Sequence, residues 1–350
     1  MRILVTGGAG FIGSHIVDEL VVANHEVVVI DSLASDVHPS APTYLNPAAT
    51  YVTADVGDVA AVRTAMAGVD AVCHQAAKVG LGVDFADVRA YVADNDVGMA
   101  GVLWAMHDTG FSGRVVLASS MVVYGEGRYR CGEHGIVRPS ARTRVHLDAG
   151  RWEPHCAVCG ADLQSEAVPE DAPLDPRNVY AATKLHQEHL CAAFAGEHDV
   201  PVTALRYHNV YGPRMPRDTP YAGVAAIFRS ALAGGRAPRV FEDGGQLRDF
   251  VHVRDVAHVN VLALTTPEPA AGAFNVASGE PHTVGEMAEA LAHSFPPGSA
   301  APEVVGGYRI GDVRHIVASP EKAKRELGFT ATVRFADGMA EFATARLRGD

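Results

Sequence analysis

The sequence contains a tyrosine and a lysine spaced for acid–base chemistry. Tyr180 and Lys184 lie four residues apart in a stretch with helical character, so their side chains share one helix face. Use of a tyrosine as a base at neutral pH requires about 4 kcal/mol of preferential stabilisation of the phenolate, and a cation one turn away favours it. This spacing also occurs by chance, but Lys184 is one of only four lysines. Ser119 and Ser120 end a predicted strand on the side where parallel sheets bind ligands, so a hydroxyl is available there to a reacting oxygen.

A glycine-rich turn predicts the binding site of a dinucleotide. Gly7, Gly10 and Gly13 follow a predicted strand and open a predicted helix, where residues without Cβ let the chain approach a pyrophosphate closely. The next strand ends at Asp31, eighteen residues past Gly13, where a carboxylate can accept ribose hydroxyls. Because this carboxylate would repel a 2′-phosphate, and no arginine follows it closely, NAD is favoured over NADP.

The clustered cysteines predict a structural metal site. Cys131 with His134, and Cys156 with Cys159, are pairs with a two-residue spacer and a following glycine, so one tight turn aims both side chains at one ion. Three thiolates and one imidazole form a complete tetrahedral zinc set, with no position left for substrate. Two alternatives stay open: a flexible loop with incidental thiols, or replacement of His134 by another histidine, His146 or His155.

Length and charge narrow the class of protein and of partner. The chain has 350 residues, 48% of them hydrophobic, and a formal net charge of −12. This length accommodates one large or two modest domains with real cores. An acidic surface repels phosphate backbones and anionic lipids, so we expect a small-molecule partner rather than nucleic acid or a membrane. No apolar run is long enough for a signal peptide or a membrane span, which favours a cytoplasmic location.

Alternating strands and helices in the first half predict a doubly wound parallel sheet of the Rossmann type, in an α/β fold. Predicted strands cover 3–6, 26–31, 50–54, 71–75 and 114–119, and predicted helices begin near Ile12, Val59 and Tyr91. Asp55 and Val56 follow the third strand, where they either contact the adenine of a bound dinucleotide or form an ordinary turn.

The pattern becomes irregular after residue 206, with helices predicted at 222–233 and 284–294, which indicates a smaller α/β substrate-binding lobe. We therefore expect an NAD-binding domain at 1–206, interrupted by a zinc-knuckle insertion at 125–173. The substrate lobe is expected at 207–350, with part of 236–262 returning to the first domain.

These motifs together resemble the extended short-chain dehydrogenase/reductase family, and within it the nucleotide-sugar epimerases and dehydratases. The similarity covers nearly the whole chain outside 125–173. It rests on TGGAGFIGSH at 6–15, HQAA at 74–77, DN at 94–95, SS and VYG within 119–125, the Tyr180/Lys184 pair, RYHNVYGP at 206–213, RDFVHV at 248–253 and RIGD at 309–312.

The resemblance implies roles for individual residues. Tyr180 would be the acid/base, Lys184 would bind the nicotinamide ribose and lower the pKa of the tyrosine, and Ser120 would orient the sugar hydroxyl. Further cofactor contacts are implied at Phe11, Ile12, Ala76 and Asn95. The diphosphate and base of a nucleoside-diphosphate sugar would be bound by Asn209, Phe241, Arg248, Arg309 and Asp312. The family also implies a homodimer.

The residues after Ser120 bear on the reaction. In family members that eliminate water, an Asp-Glu pair stands where this chain has Met121 and Val122, which cannot transfer protons. We therefore expect an NAD-dependent 4-epimerase acting through a transient 4-keto sugar. Glu242 in place of a glycine, Lys78 directly after the HQAA motif, and the cysteine-bearing insertion resemble a subgroup acting on dTDP-6-deoxyhexoses such as dTDP-L-rhamnose. A UDP-hexose substrate stays open, as do a net dehydrogenase or 4-ketoreductase and a non-catalytic NAD-binding scaffold that uses the zinc insertion.

Overall fold

Short strands and intervening helices alternate along most of the chain. The computed structural model describes residues 1–38, 40–80, 85–217 and 223–348. The strands are β1 (Arg2–Thr6), β2 (Glu26–Asp31), β3 (Thr50–Thr53), β4 (Ala71–His74), β5 (Arg114–Ser120), β6 (Arg128–Cys131), β7 (Gly135–Val137), β8 (Gln164–Glu166), β9 (Val202–Tyr207), β10 (Asn209–Tyr211), β11 (Arg239–Val240), β12 (Leu247–His252), β13 (Gly272–Val276), β14 (Pro281–Thr283) and β15 (Glu303–Val304).

The helices are α1 (Phe11–Val22), α2 (Val59–Ala65), α3 (Val88–Tyr91), α4 (Gly98–Thr109), α5 (Arg144–Asp148), α6 (Val179–His198), α7 (Val224–Ala233), α8 (Val253–Thr265), α9 (Val284–His293), α10 (Glu321–Leu327) and α11 (Phe335–Thr344). A π-helical segment at Val92–Val97 joins α3 to α4, and 3-10 turns cover Phe85–Asp87 and Met121–Tyr124. Within the described ranges, no helix has both the length and the apolar character needed to cross a membrane.

Seven parallel strands form the main sheet, in the order β13-β9-β5-β4-β1-β2-β3. Side chains alternate between its two faces. In β1, Ile3 and Val5 pack into the core beneath α1 and α8, whereas Leu4 packs into the opposite core beneath α2, α4 and α6. A parallel sheet covered by helices on both faces confirms the predicted Rossmann fold class.

The observed strands agree closely with the predicted ones. β5 extends one residue beyond the predicted range, so Ser120 is its last residue. The helix expected near Tyr91 is instead a succession of a short α-helix, a π-helical segment and α4. Of the helix predicted at 222–233, the structure has Val224–Ala233, and Ala222 lies outside the described residues.

The second half of the chain contributes more to the main sheet than the sequence indicates. The sequence predicts a return only within 236–262, and α8, most of which lies in that range, does pack against α1. The edge strand β13, however, comes from Gly272–Val276. β13 is five residues long and follows a loop rich in proline and alanine, so its pattern alone does not distinguish it from a loop.

A smaller lobe and an insertion adjoin this sheet. The lobe has a three-stranded sheet in the order β10-β12-β14 and the pair β11-β15, with α7, α9 and α11 around a separate apolar core. The insertion is an antiparallel sheet in the order β7-β6-β8 with the short helix α5. Its own core is small and consists of Tyr129, Cys131, Cys156 and Leu163.

Candidate functional site

The glycine-rich turn between β1 and α1 is fixed by close packing. Gly7 has a φ of +67°, and a Cβ there would lie 2.6 Å from the backbone nitrogen of Ala76. A Cβ on Gly13 would lie 2.2 Å from the carbonyl oxygen of Gly7. Gly10 precedes the first helical residue, Phe11, and no side chain of the described residues caps the helix. The N–H groups at the start of α1 therefore follow a tight, glycine-rich turn and have no side-chain cap. This arrangement suits the binding of a pyrophosphate.

Two carboxylates lie at or just after the ends of the neighbouring strands β2 and β3. Asp31 ends β2, and its carboxylate oxygens accept the backbone N–H groups of Ala9 and Leu33, both at 2.9 Å. It therefore lies against the glycine-rich turn, as expected. Asp55 accepts the backbone N–H of Gly57 at 2.7 Å, which is the turn that the sequence left as one alternative.

Asn95 connects the end of β4 to α6. Its side-chain oxygen accepts the backbone N–H of Lys78 at 2.7 Å, and its side-chain nitrogen donates to the Lys78 carbonyl at 3.0 Å and to the Thr183 hydroxyl at 2.9 Å. Its π-helical segment is a geometry often found at functional sites. The Ala76 backbone N–H is held by the Thr6 hydroxyl at 3.1 Å. In this structure, Asn95 orders the backbone around the expected cofactor contacts.

The structure brings Ser120, Tyr180 and Lys184 to the carboxyl end of β5. Tyr180 is the second residue of α6, and its phenol lies near the Ser120 side chain. One turn later, the buried Lys184 ammonium donates to the carbonyl oxygen of Ala118 at 2.9 Å. Asn178 begins the helix by accepting the backbone N–H of Ala181 at 2.8 Å, which fixes where Tyr180 enters.

Burial shifts the pKa values of this pair in opposite directions. It raises the pKa of Tyr180 to about 12, and the nearby Ser120 side chain opposes the shift. Burial lowers the pKa of Lys184 to about 8, because a buried ammonium loses its hydration. The lowering of the tyrosine pKa by Lys184 stays a prediction.

A buried ion pair that the sequence analysis did not single out supports the same strand end. Arg206 on β9 binds Glu188 on α6 through two hydrogen bonds of 2.9 and 2.7 Å, and it also donates to the Tyr124 hydroxyl at 2.8 Å. Glu188 in turn accepts a hydrogen bond from Ser119. Glu188 follows Lys184 by four residues on one helix face, and this spacing was the available signal.

The expected substrate contacts lie on β10, on β12 and in the loops after β11 and β15. Asn209 is on β10, next to β12, and its buried side-chain oxygen has no hydrogen-bond partner among the described residues. The Arg309 guanidinium carbon lies 5.5 Å from the centre of the Phe241 ring, a cation–π contact. Burial raises the pKa of Asp312, and the charges of Arg248 and Arg309 oppose that shift.

The Arg248 side chain is held in place by hydrogen bonds within the protein. Its guanidinium donates to the carbonyl oxygens of Leu247 at 2.8 Å, Arg314 at 2.9 Å and Val313 at 2.8 Å. Burial lowers its pKa, and the nearby Asp312 is the largest opposing influence. Three backbone acceptors thus fix its position and leave two of its five N–H groups for another partner.

The four expected metal ligands converge. Ligand atoms of Cys131, His134, Cys156 and Cys159 all lie within 4.8 Å of one another. The Cys131 sulfur is 3.6 Å from that of Cys159 and 3.4 Å from Nδ1 of His134, which is 3.7 Å from the Cys156 sulfur. Zn–S bonds of about 2.3 Å place the sulfurs of a tetrahedral site about 3.8 Å apart, so this donor set suits zinc.

Backbone groups favour the thiolate form in this cluster. The amides of Glu133 and His134 hydrogen-bond the Cys131 sulfur and lower the pKa of its thiol. The alternative histidine His155 instead pairs with Asp162 at 2.7 Å, and His146 packs edge-on against His155. His134 is therefore the histidine in ligand position.

A doubly wound sheet with a glycine-rich turn and a serine–tyrosine–lysine set defines the short-chain dehydrogenase/reductase type. The chain belongs to the NAD dependent epimerase/dehydratase family, whose model matches residues 3–140 and 156–277. It is 32% identical over 348 residues to the dTDP-L-rhamnose 4-epimerase of Burkholderia thailandensis, covering 98% of this chain and 94% of that protein.

Solved structures of nucleotide-sugar epimerases have the same fold. The UDP-glucose 4-epimerase of Thermus thermophilus, solved with NAD, is 31% identical with a TM-score of 0.78, and the match covers 98% of both chains. The UDP-glucose 4-epimerase of Thermotoga maritima, solved with UDP-glucose, is 29% identical with a TM-score of 0.79, over 98% of this chain and 97% of that one. The resemblance inferred from the motifs is thereby confirmed.

Proposed function

We propose that the protein is an NAD-dependent 4-epimerase of a nucleoside-diphosphate sugar, acting through a transient 4-keto sugar. The observation that carries this proposal is the meeting of Ser120, Tyr180 and Lys184 at the end of β5, with Met121 and Val122 next in the chain. Neither of the latter side chains can transfer a proton, so the site has the groups for oxidation and reduction at one carbon but lacks the pair used for elimination.

The glycine-rich turn, Asp31 and Lys184 would hold NAD. The close packing at Gly7 and Gly13 excludes Cβ atoms and fixes the turn, and the uncapped start of α1 offers backbone N–H groups to a pyrophosphate. When bound there, NAD supplies a hydride acceptor and donor and a positively charged ring. The Asp31 carboxylate suits the ribose hydroxyls of NAD and would repel a 2′-phosphate.

The protein side chains manage the proton on the substrate oxygen. Ser120, which lies near the Tyr180 phenol, can hold the sugar hydroxyl within reach of that phenol. As the alcohol becomes a ketone, Tyr180 in its phenolate form accepts the proton, and the resulting phenol returns it when the ketone is reduced. The Lys184 ammonium and the positively charged ring of a bound NAD would favour that phenolate. Reduction on the opposite face inverts C4, so no net oxidant is consumed.

A dTDP-6-deoxyhexose such as dTDP-L-rhamnose is the substrate we favour, with UDP-hexoses next. The relative from Burkholderia thailandensis supports the first class and the Thermus and Thermotoga relatives support the second. Phe241 would lie near the nucleotide base, and Asn209, Arg248 and Arg309 would hold the diphosphate. Asp312 would be a further substrate contact beside Arg248 and Arg309.

The test is to incubate purified protein separately with dTDP-L-rhamnose and UDP-glucose, without added cofactor, and to follow C4 configuration by NMR. We expect one sugar to reach an epimer mixture while absorbance at 340 nm stays constant. NADH accumulating in proportion to product would indicate a net dehydrogenase instead. Retained NAD with no turnover of either sugar, and Tyr180→Phe behaving as wild type, would support a scaffold.

We further propose that Cys131, His134, Cys156 and Cys159 hold a structural zinc ion. Their spacing and lack of an open position suit a closed tetrahedral site, and zinc binding is worth about 10 kcal/mol in small zinc domains. Elemental analysis should give one zinc per chain. Cys156→Ser should lose the metal, whereas Cys191→Ala, at a buried cysteine outside the cluster, should keep it. Less than half a zinc per wild-type chain would contradict the site.

A homodimer is the assembly we propose. Val97 and Trp104, which lie about two turns apart before and within α4, are 57% and 49% exposed, which leaves an apolar strip for a second copy. Light scattering should give twice the 36.9 kDa chain mass, and Trp104→Glu should halve it. A wild-type monomer at micromolar concentration would refute this assembly.

A further inference from the structure

One arginine of the insertion reaches the lobe expected to bind the nucleotide sugar. Nη1 of Arg142 lies 2.8 Å from a carboxylate oxygen of Glu242, and these side chains are 5% and 2% exposed. Nη2 of Arg142 donates to the carbonyl oxygen of Asp312 at 2.7 Å, and Nη1 also donates to that of Trp152 at 3.3 Å. A single guanidinium thus joins the insertion to two separate segments of the lobe.

Glu242 occupies a backbone conformation that favours glycine. Its φ is +52°, a region that side-chain-bearing residues rarely adopt. The buried Arg314 binds its second carboxylate oxygen at 2.9 Å and contacts Glu153 of the insertion at 2.7 Å. Clamping by two arginines explains how a glutamate is retained here. Because Glu242 follows Phe241 directly, the clamp also fixes the backbone that presents the Phe241 ring.

The loop that carries Arg309 is held from the same side. The N–H of Glu242 donates to the carbonyl oxygen of Gly307 at 2.7 Å. The Trp152 ring of the insertion packs at 6.3 Å from that of Tyr308, whose hydroxyl donates to Asp148. Insertion residues therefore contact the loop at Tyr308 and at Asp312, on the two sides of Arg309.

A histidine completes the connection to the strand of Arg248. Nδ1 of His315 accepts the backbone N–H of Leu247 at 3.0 Å, so its proton is on Nε2, which donates to Glu153 at 2.8 Å. The N–H of His315 donates to the hydroxyl of the fully buried Tyr129 at 3.1 Å. The insertion thus contacts the segments of all three expected substrate groups: Phe241, Arg248 and Arg309.

The metal ligands enclose the segment of the insertion that makes these contacts. The segment that bears Arg142, Trp152 and Glu153 lies between His134 and Cys156, so a bound ion would fix both of its ends. The core of the insertion contains only four buried side chains among the described residues, too few to order it independently.

We propose that the metal-ordered insertion forms a wall of the nucleotide-sugar pocket, and that Arg142 is the positioning residue that transmits its order to the Phe241 and Arg309 segments. This proposal rests on the proposed function for the identity of the ligand. It predicts that loss of the metal, or of Arg142, weakens nucleotide binding and raises KM, and leaves the chemistry at Tyr180 largely intact.

Docking of the insertion is measured first, without any ligand. The chain has two tryptophans, so Trp104→Phe leaves Trp152 as the sole reporter. Removing zinc with a chelator should shift Trp152 emission to longer wavelength, and restoring zinc should reverse the shift. In the same background, Arg142→Met should show the shift with zinc bound. Unchanged emission in both cases would overturn the coupling.

Binding of UDP and dTDP is then measured by calorimetry. Arg142→Met should raise Kd about tenfold or more, with a matching rise in KM for the sugar nucleotide and kcat within about threefold of wild type. The Kd of Arg142→Lys should lie between those of wild type and Arg142→Met. An ammonium can pair with Glu242 but lacks the fork that also reaches Asp312. The exposed Arg151, changed to Met, is the matched control and should bind as wild type.

Chelation provides the decisive comparison. Zinc removal should raise Kd in wild type but add little in Arg142→Met, because both perturbations break the same connection. If Arg142→Met does not fold, Glu242→Gln tests the same contact from the other side. The inference would be refuted if the folded variant bound UDP or dTDP with wild-type affinity. It would also be refuted if the effects of zinc removal and of the substitution on Kd were fully additive. Failure of wild-type protein to bind UDP or dTDP would instead contradict the proposed function, and the Trp152 emission would then decide the coupling alone.

Discussion

Lys184→Met should make the protein more stable at neutral pH while abolishing its activity. In the folded protein, burial lowers the pKa of Lys184 from 10.5 to about 8. One pKa unit corresponds to about 1.4 kcal/mol, so keeping this ammonium charged in the folded state costs about 3 kcal/mol at pH 7. Methionine removes that cost and also the hydrogen bond to Ala118, which is worth about 1.5–3 kcal/mol. The two terms leave a net stabilisation of up to about 2 kcal/mol.

The pH dependence gives the sharper test. Because the pKa is lower in the folded state, the unfolded chain binds more protons between pH 8 and pH 10.5, and stability rises with pH in this window. Relative to that of Lys184→Met, the unfolding free energy of wild type should rise by about 2.5 kcal/mol between pH 7 and pH 10. Methionine should therefore be the more stable variant at pH 7 and the less stable one at pH 10.

The assay is urea unfolding of both variants at each pH, on protein whose NAD content has been measured and matched. Matching matters because a ligand at about 100 times its Kd stabilises by about 2.7 kcal/mol. Lys322→Met is a control, since its ammonium donates to a backbone carbonyl on the far side of the sheet. A stability difference that is constant across pH would refute the reasoning about Lys184.

Three further outcomes are expected. Tyr180→Phe should lower kcat by about a hundredfold or more and keep wild-type NAD binding, as measured by turnover and by bound-nucleotide analysis. Gly13→Ala should lower Tm and NAD content, because its Cβ would lie 2.2 Å from a backbone oxygen, whereas Gly196→Ala, with nothing within 4 Å, should be neutral or slightly stabilising. Arg206→Met should lower the unfolding free energy by about 3–5 kcal/mol by leaving Glu188 unpaired, and Glu188→Met in the same chain should restore part of it; full independence of the two changes would count against the pair.

The parts of the site that depend on short sequence spacings were predictable. The turn at Gly7–Gly13, the carboxylate of Asp31 and the tyrosine–lysine pair are each defined within one βα unit or one helix. The same holds for the metal ligands, because each pair lies in a single turn and the insertion is short. Local periodicity and turn chemistry are sufficient for such features.

The contacts between distant segments were not predictable in the same way. Arg142 meets Glu242 across a separation of one hundred residues, and Arg206 meets Glu188 between a strand and a helix. Nothing in the local sequence of an arginine indicates which carboxylate it will pair with. The engagement of Arg248 by three carbonyl oxygens likewise depends on where the loop after β15 returns.

Two groups of buried polar side chains differ in how far the protein supplies their partners. The charges of Arg142, Glu242 and Arg314 compensate one another within the protein. At the sheet edge, Lys184 keeps a charge that burial disfavours, and the buried side-chain oxygen of Asn209 has no hydrogen-bond partner among the described residues. Such groups are costly in isolation and become favourable when a ligand supplies their partners. Binding free energy is therefore available at Lys184 and Asn209, whereas the ion pairs beneath the insertion fix the shape of the pocket that receives the ligand.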